Sequence, residues 1–388
     1  LEKSEIRPIR NAIVMLTNQC NCRCVYCFEQ RRPERMTLDI AKDVLRFLHR
    51  SGSPTVGFTF FGGEPMLEFD TIISPLIAWS KDAFENRTSF AMTTNGTLFT
   101  KERLDFLKEN NIHFMLSMDG ASTAQGLNRP LASGKNSFYA IEPYLPYILE
   151  LWPYQSFRET LTEYNVQHFF EDILYFESIG CKKLMVVPDI FKMWSEDKLD
   201  ILHEQIKLYE SYLLDCFQNG KAPLLLHEYA MAFMKLVQIA GNPLMERRSE
   251  PSCHGSYKCG FGIRGSVSID PVGDIYGCHH ISPLTRDSDY YLGNVYDGID
   301  QDRVLNLANR YDRNKVGNEM CSSCGLDKIC DGGCAPNNYQ INGDEHKVPE
   351  MYCIWWRTVM DSAYRLCGAL ESNEMFKKMF SICATEGW

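Results

Sequence analysis

The sequence predicts an α/β protein: a parallel sheet of six βα units, then a helical bridge, then a small cysteine-rich domain with a β-hairpin. Three observations carry this. Six apolar runs of strand length alternate with helix-patterned stretches, at a spacing of roughly 25–50 residues. The polar residues suited to chemistry fall where those runs end, the end at which parallel sheets build their sites. Eight cysteines crowd into about 100 residues from Cys253 onward, a sharp change of composition. The expected boundaries are 1–190 for the parallel α/β unit, 191–250 for the bridge and 251–388 for the cysteine-rich domain.

The first strand is Ala12-Ile13-Val14-Met15-Leu16, and Cys20, Cys24 and Cys27 sit on the loop that leaves it. Three thiols spaced C-x3-C-x2-C suit an iron–sulfur cluster, since soft thiolates favour one, and three ligands leave one of its four irons open. Zinc or buried thiols are the competing reading. Cys22 reads as a spare thiol. The basic stretch Arg31-Arg32-Pro33-Glu34-Arg35 reads as a solvated loop. Thr37 can cap the next helix, with Leu38, Val44, Leu45 and Leu48 on its apolar side.

Residues 55–61 read as the second strand, and Gly62-Gly63-Glu64-Pro65 follows directly. Glycines let a backbone come close to a ligand, and Glu64 can pair with an ammonium group. A helix over 69–85 leads to a third strand over 89–94, which ends at the turn pair Asn95-Gly96. A helix over 101–110 leads to strand four, 113–118, followed by Asp119-Gly120. Asp119 is expected either to contact a ligand or to hold its own loop through a side-chain-to-backbone bond. Further helices are expected over 137–151 and 166–179. Strand five starts at Phe157-Arg158, and strand six covers 183–187 and stops at Pro188. Residues 191–243 read as helical, broken at Gly220 and Pro223. Cys181 and Cys216 read as buried thiols.

The later cysteines run Cys253-x5-Cys259, then Gly273-x4-Cys278, then Cys321-x2-Cys324-x5-Cys330-x3-Cys334, then Cys353. Residues 266–270 and 274–276 read as hairpin strands around Pro271-Val272-Gly273. A zinc ribbon is the competing reading of Cys321 to Cys334.

Together these motifs resemble radical S-adenosylmethionine (SAM) enzymes with a C-terminal SPASM domain, among them peptide maturases and anaerobic sulfatase-maturating enzymes. The resemblance implies a partial (β/α)6 barrel over roughly residues 10–190. It implies three 4Fe–4S clusters. Cys20, Cys24 and Cys27 hold the one that binds SAM. Cys253, Cys259, Cys278 and Cys334 hold the first auxiliary cluster, and Cys321, Cys324, Cys330 and Cys353 the second. It places Gly62, Gly63 and Glu64 at the SAM amino group, Ser117 at its ribose or carboxylate, Arg158 at its carboxylate and Tyr26 near its adenine. Asn95 falls on a loop near SAM.

The implied activity is hydrogen abstraction from a peptide by a 5′-deoxyadenosyl radical. The expected product is a thioether crosslink in a ribosomally made peptide. Carbon–carbon crosslinking, epimerisation and formylglycine formation compete with it, and a non-catalytic electron carrier is the alternative of another class. Formylglycine-making enzymes of the family carry an aspartate right after the third cysteine of the first auxiliary cluster. Here that position is His279, which could take the proton instead.

The net charge of −10 argues against nucleic acid, and no run of about 18 apolar residues predicts a membrane span. Sixteen cysteines without an N-terminal signal pattern point to metal ligation in a reducing cytoplasm. The expected partners are a precursor peptide and an electron donor such as flavodoxin or ferredoxin. Leader recognition is expected to fall to the barrel face, the bridge or a separate leader-binding protein.

Overall fold

A computed structural model describes residues 2–239, 262–281, 283–311, 315–326 and 329–379. Six parallel strands appear where the apolar runs predicted them: β1 Asn11–Thr17, β2 Val56–Gly62, β3 Thr88–Thr94, β4 His113–Ser117, β5 Ser156–Leu161 and β6 Lys183–Pro188. They pair in sequence order, each parallel to the next. Alternation decides the faces. Val14, Leu16, Phe58, Phe60, Leu116, Phe157 and Leu184 point outward into one continuous core with the surrounding helices. Phe61, Ser117, Arg158 and Met185 sit on the opposite, half-buried face and line the barrel lumen.

The helices follow the expected order with local breaks that have chemical causes. α1, Leu38–His49, is capped by Thr37, whose hydroxyl accepts from Ile40 N, and it buries Ala41, Val44, Leu45 and Leu48. The helix expected over 69–85 starts as a π-turn, Phe69–Ile73, and restarts as α2, Ser74–Phe84, with Pro75 in its first turn. Proline fits only such a position, since it has no N–H to give the preceding turn. α3 is Lys101–Glu109. A short helix the sequence did not reveal, α4, Ser122–Asn128, follows β4. The single helix expected over 137–151 is α5, Phe138–Ile141, and α6, Leu145–Leu151, parted at Pro143 and Pro146. α7, Phe169–Ser178, precedes β6.

Two features exceed the sequence reading. First, the bridge belongs to the core. α8, Glu196–Gln218, and α9, His227–Ile239, pack with the long helix Glu350–Ala369 through buried Tyr209, Tyr229, Phe233 and Trp355. The chain before α9 also closes the free edge of β6. Leu226 bridges to Leu184, and the Glu228 carboxylate accepts from Val186 N at 3.0 Å. Second, the expected hairpin forms as β7, Ser266–Ile269, and β8, Asp274–Tyr276, but β7 also pairs parallel with β1. With β9, Tyr291–Asn294, and β10, Gly298–Ile299, this makes one ten-stranded sheet, ordered β10-β9-β8-β7-β1-β2-β3-β4-β5-β6. Among the described residues no helix is long and apolar enough to cross a membrane.

Candidate active site

The cysteine loop leaves the carboxyl end of β1 and rests on the Gly-Gly-Glu turn that ends β2. Gly63 N donates to Thr17 O at 2.8 Å and Glu64 N to Gln19 O at 2.9 Å. A Cβ on Gly63 would stand 2.2 Å from Gln19 O; one on Gly62, at φ 122°, would stand 2.3 Å from Thr17 O. The glycines therefore admit the backbone of the cysteine loop itself. Glu64 is buried, and its carboxylate ties its own turn to the end of β3 through three hydrogen bonds. Oε1 accepts from Met66 N at 3.0 Å and from Thr94 Oγ1 at 2.7 Å, and Oε2 from Asn95 N at 2.8 Å. Burial pushes its carboxyl up to about 7, against the pull of these donors. A carboxylate offers about four acceptor positions, so one on Oε2 is left for a ligand.

Cys20, Cys24 and Cys27 lie near enough to sense one another's charge. Cys20 is held low, at about 6, chiefly by a hydrogen bond from Cys22. Its sulfur also accepts from Cys22 N at 3.4 Å and from Asn95 Nδ2 at 3.8 Å. Cys22 is buried and belongs to this support, a larger part than a spare thiol plays. Asn95 makes the expected turn and also reaches the loop, giving 2.9 Å to Asn21 Oδ1.

In the lumen, Ser117 and Arg158 are direct partners across β4 and β5. The Arg158 guanidinium makes one weak contact, 3.7 Å to Met185 Sδ. Burial pulls its pKa down, with the Glu228 carboxylate opposing. His279 and His280 come from the turn after β8 and roof this space. His279 meets the edge of Phe61 at 4.8 Å between ring centres, and His280 stacks on Phe28 at 5.4 Å. His280 Nδ1 and Asn337 Oδ1 are 2.8 Å apart, which places a proton on that nitrogen, since the amide oxygen can only accept. Burial drives His279 well below its ordinary value and His280 down to about 4, so both rings are neutral near pH 7.

Tyr26 directs its hydroxyl to Asp119 Oδ2 at 2.9 Å. Asp119 does hold a backbone group, Thr160 N at 2.8 Å, but that group is on β5 and not in its own loop. Arg129, which the sequence did not single out, completes this group: its Nε lies 2.9 Å from Asp119 Oδ2.

The second thiol set also gathers. Cys321, Cys324, Cys330 and Cys353 line one cavity of about 380 Å³ with Trp356 and Arg357. Backbone and amide N–H groups point at the sulfurs. Asn318 N is 3.2 Å from Cys321, Asn318 Nδ2 is 3.3 Å from Cys353, and Gly332 N is 3.3 Å from Cys330. Burial raises the Cys353 thiol to about 11, and the Asn318 bond opposes that. Trp356 Nε1 is buried without a partner among the described residues. A buried indole N–H normally finds one, and a cluster sulfide would serve. Among the described residues no three side chains close tightly enough on a point to hold a single metal ion; a four-iron cluster spreads its thiolates wider. Cys278 follows β8 and Cys334 precedes the helix Ala335–Asn342. Cys253 and Cys259 lie outside the described residues.

Residues 14–144 match the radical SAM superfamily. That stretch is a radical SAM domain, and the relatives that share it are enzymes. Enzymes of this family use a 4Fe–4S cluster and SAM. Among curated relatives, the radical SAM cyclopropyl synthase TigE of Paramaledivibacter caminithermalis is 23% identical over 344 residues, 83% of this chain and 66% of that protein. A cysteine-type anaerobic sulfatase-maturating enzyme of Clostridium perfringens is 21% identical over 340 residues, covering 84% and 89%. Among solved structures, native anSMEcpe with bound AdoMet and Cp18Cys peptide superposes with a TM-score of 0.72 at 19% identity, over 94% of this chain and 99% of that one. SuiB of Streptococcus suis, bound to the precursor peptide SuiA, gives 0.55 at 18% identity, over 90% and 77%. The two structures share this fold.

Proposed function

We propose that this enzyme is a maturase of a ribosomally made peptide, forming a thioether between a cysteine sulfur and a carbon. The observation that carries the reading is the lumen. Ser117 and a nearly uncontacted Arg158 stand side by side on its wall, and His279 closes it from above. When bound, the cluster at Cys20, Cys24 and Cys27 and SAM supply a carbon-centred radical strong enough to take hydrogen from carbon.

The chain's own groups do the rest. Arg158 offers the SAM carboxylate two parallel N–H bonds, and Ser117 adds a hydroxyl beside it. Gly63 and the remaining acceptor on Glu64 Oε2 receive the ammonium, and Tyr26 stands by the adenine. Crosslinking removes two hydrogens from the peptide. One leaves carbon as the new hydrogen of 5′-deoxyadenosine. The other leaves the cysteine thiol as a proton, and a neutral His279 ring nitrogen is able to accept it. One electron is left over and needs an acceptor. Cys253, Cys259, Cys278 and Cys334, and Cys321, Cys324, Cys330 and Cys353, would hold the two auxiliary clusters that provide it.

Peptides occupy anSMEcpe and SuiB, which supports a peptide here. An electron donor such as flavodoxin or ferredoxin, a separate leader-binding protein and a cytoplasmic setting complete the proposal. The sulfatase-maturating relatives favour a second reading, in which a serine alcohol becomes an aldehyde, or a cysteine becomes a thioaldehyde that water hydrolyses to the aldehyde with release of hydrogen sulfide; the hydrogen atom, proton and electron leave as in the first reading, the proton to His279.

Reduced enzyme, SAM and a cysteine-containing precursor peptide separate these readings. The expected result is 5′-deoxyadenosine, a peptide lighter by two hydrogens, and a thiol that no longer alkylates. An aldehyde trapped by a hydrazide would favour the second reading, and no 5′-deoxyadenosine at all would end both. His279→Ala should keep SAM cleavage and slow product formation.

A further inference from the structure

We propose that Arg129 is a positioning residue for the catalytic cluster: it places a buried positive charge behind Cys24 and makes the cluster easier to reduce. This rests on the reading that Cys20, Cys24 and Cys27 hold that cluster. The first observation is a strap. Residues 128–132 run along the outside of the cysteine loop and bond to it three times through the backbone. Val25 N donates to Asn128 O at 3.0 Å, Arg23 N to Pro130 O at 2.7 Å, and Ala132 N to Asn21 O at 2.7 Å. The strap is anchored on the far side. Asn128 is fully buried; its Nδ2 donates to Thr160 O at 2.9 Å, and its Oδ1 accepts from Thr162 Oγ1 at 2.8 Å. Two of the gaps between cysteines are thus held from outside, and the strap has no freedom to slide.

The second observation is where the strap sends its one cation. The Arg129 side chain is 7% exposed and turns inward, opposite to a surface arginine. Its guanidinium carbon lies 5.1 Å from the centre of the Tyr26 ring. Its Nε is 2.9 Å from Asp119 Oδ2, yet the N–H does not line up on that oxygen, so the pair is joined by charge and not by a hydrogen bond. The same Asp119 carboxylate also accepts from Tyr26 and Thr160. Asn128 and Pro130 bond to Val25 and Arg23, which sets Arg129 opposite Cys24, with Asp119 as its counter-charge. A buried guanidinium is costly unless it stabilises a nearby anion. Three thiolates around a cluster make such an anion, and adding an electron makes it more negative. Arg129 opposes that penalty, and Asp119 enlarges it.

The signs give the test. Wild type and variants of the full chain are reconstituted anaerobically and titrated with reductant. The reading is the potential at which the SAM-responsive electron paramagnetic resonance signal appears, which singles out the catalytic cluster. Arg129→Met should shift that potential negative, Arg129→Lys should restore most of the shift, and Asp119→Asn should shift it positive. Thr162→Val, which frees the anchor without touching a charge, should lower thermal stability and leave the potential in place. Arg129→Met at the wild-type potential, or Asp119→Asn moving negative, overturns the inference. If Arg129→Met does not fold, Asp119→Asn and Arg129→Lys still carry the test: the first should move the potential positive and the second should leave it near the wild-type value. A wild type with no SAM-responsive signal instead overturns the reading of the three cysteines.

Discussion

Two groups of thiols face each other in design. Cys20, Cys24 and Cys27 sit on a loop, with Cys27 exposed. That loop is shaped from outside by the Gly62-Gly63 floor, the Asn95 amide and the strap at residues 128–132. Cys321, Cys324, Cys330 and Cys353 converge from a short helix, a loop and the long helix Glu350–Ala369 on one walled cavity. On the proposed reading, three donors would leave a metal corner for a substrate, and four donors with an indole wall would leave none. The loop site would then exchange a ligand, and the cavity site would keep what it holds.

The sharpest way to break this contrast is to remove one thiol from each group. Cys27→Ala should abolish SAM cleavage, read as 5′-deoxyadenosine. Cys353→Ala should spare that cleavage and block product. Iron should be about twelve atoms per chain in wild type and about eight in Cys27→Ala. Four irons in wild type would mean that the cavity group holds no cluster.

Next in size is the floor of the loop. Gly63→Ala puts a methyl 2.2 Å from Gln19 O, a backbone atom that cannot swing away. Overpacking of this kind costs about 1–3 kcal/mol. The variant should melt earlier and load less iron at the SAM-responsive site, with the cavity group unaffected. Equal loss at both sites would mean that the two groups fold as one unit.

The two sides of the lumen should also respond to acid and base with opposite sign. Burial raises Glu228, on the barrel side, to about 8. Its contribution to stability is fully present below its unfolded value near 4.5 and is lost as pH rises through about 8. Burial lowers His280, on the roof, to about 4, so its contribution is present above 6.5 and is lost as pH falls through about 4. Glu228→Gln should flatten the fall in melting temperature between about pH 4.5 and 8, an effect on the order of a few kcal/mol. Parallel curves for wild type and variant would mean that Glu228 is ionised in the fold, paired with Arg158.

The smallest effect concerns the indole wall. Trp356→Phe removes the N–H and shrinks a buried indole to a phenyl ring, and should lower stability by about 1–2 kcal/mol. It should shift the potential of an auxiliary cluster without changing SAM cleavage. An unchanged auxiliary potential would leave Trp356 Nε1 without a role at the cluster.

The six strands were legible because Val14, Phe58, Leu116 and Leu184 each sit in an apolar run whose length and flanks are those of a strand. The thiols and the Gly-Gly-Glu turn were legible because spacing along the chain carries their chemistry. Arg129 was not. Leu127-Asn128-Arg129-Pro130 has no period and no motif spacing, and its meaning comes from Asp119 and Tyr26, which are distant in sequence. The roof was half legible: His279 stood out by its place after Cys278, but its position over Phe61 depends on how the hairpin docks. The pairing of β7 with β1 left no trace, since a strand's partner is not written in its own residues.

That pairing has a consequence for anyone who would trim the protein. β1 lies between β2 and β7, so its backbone is spoken for on both sides. A fragment ending near residue 190 would bare a row of amides and carbonyls along the strand that leads into the cysteine loop. Unsheltered margins of this sort recruit other chains. The catalytic half should therefore clump when made alone and stay dispersed when its C-terminal partner is supplied.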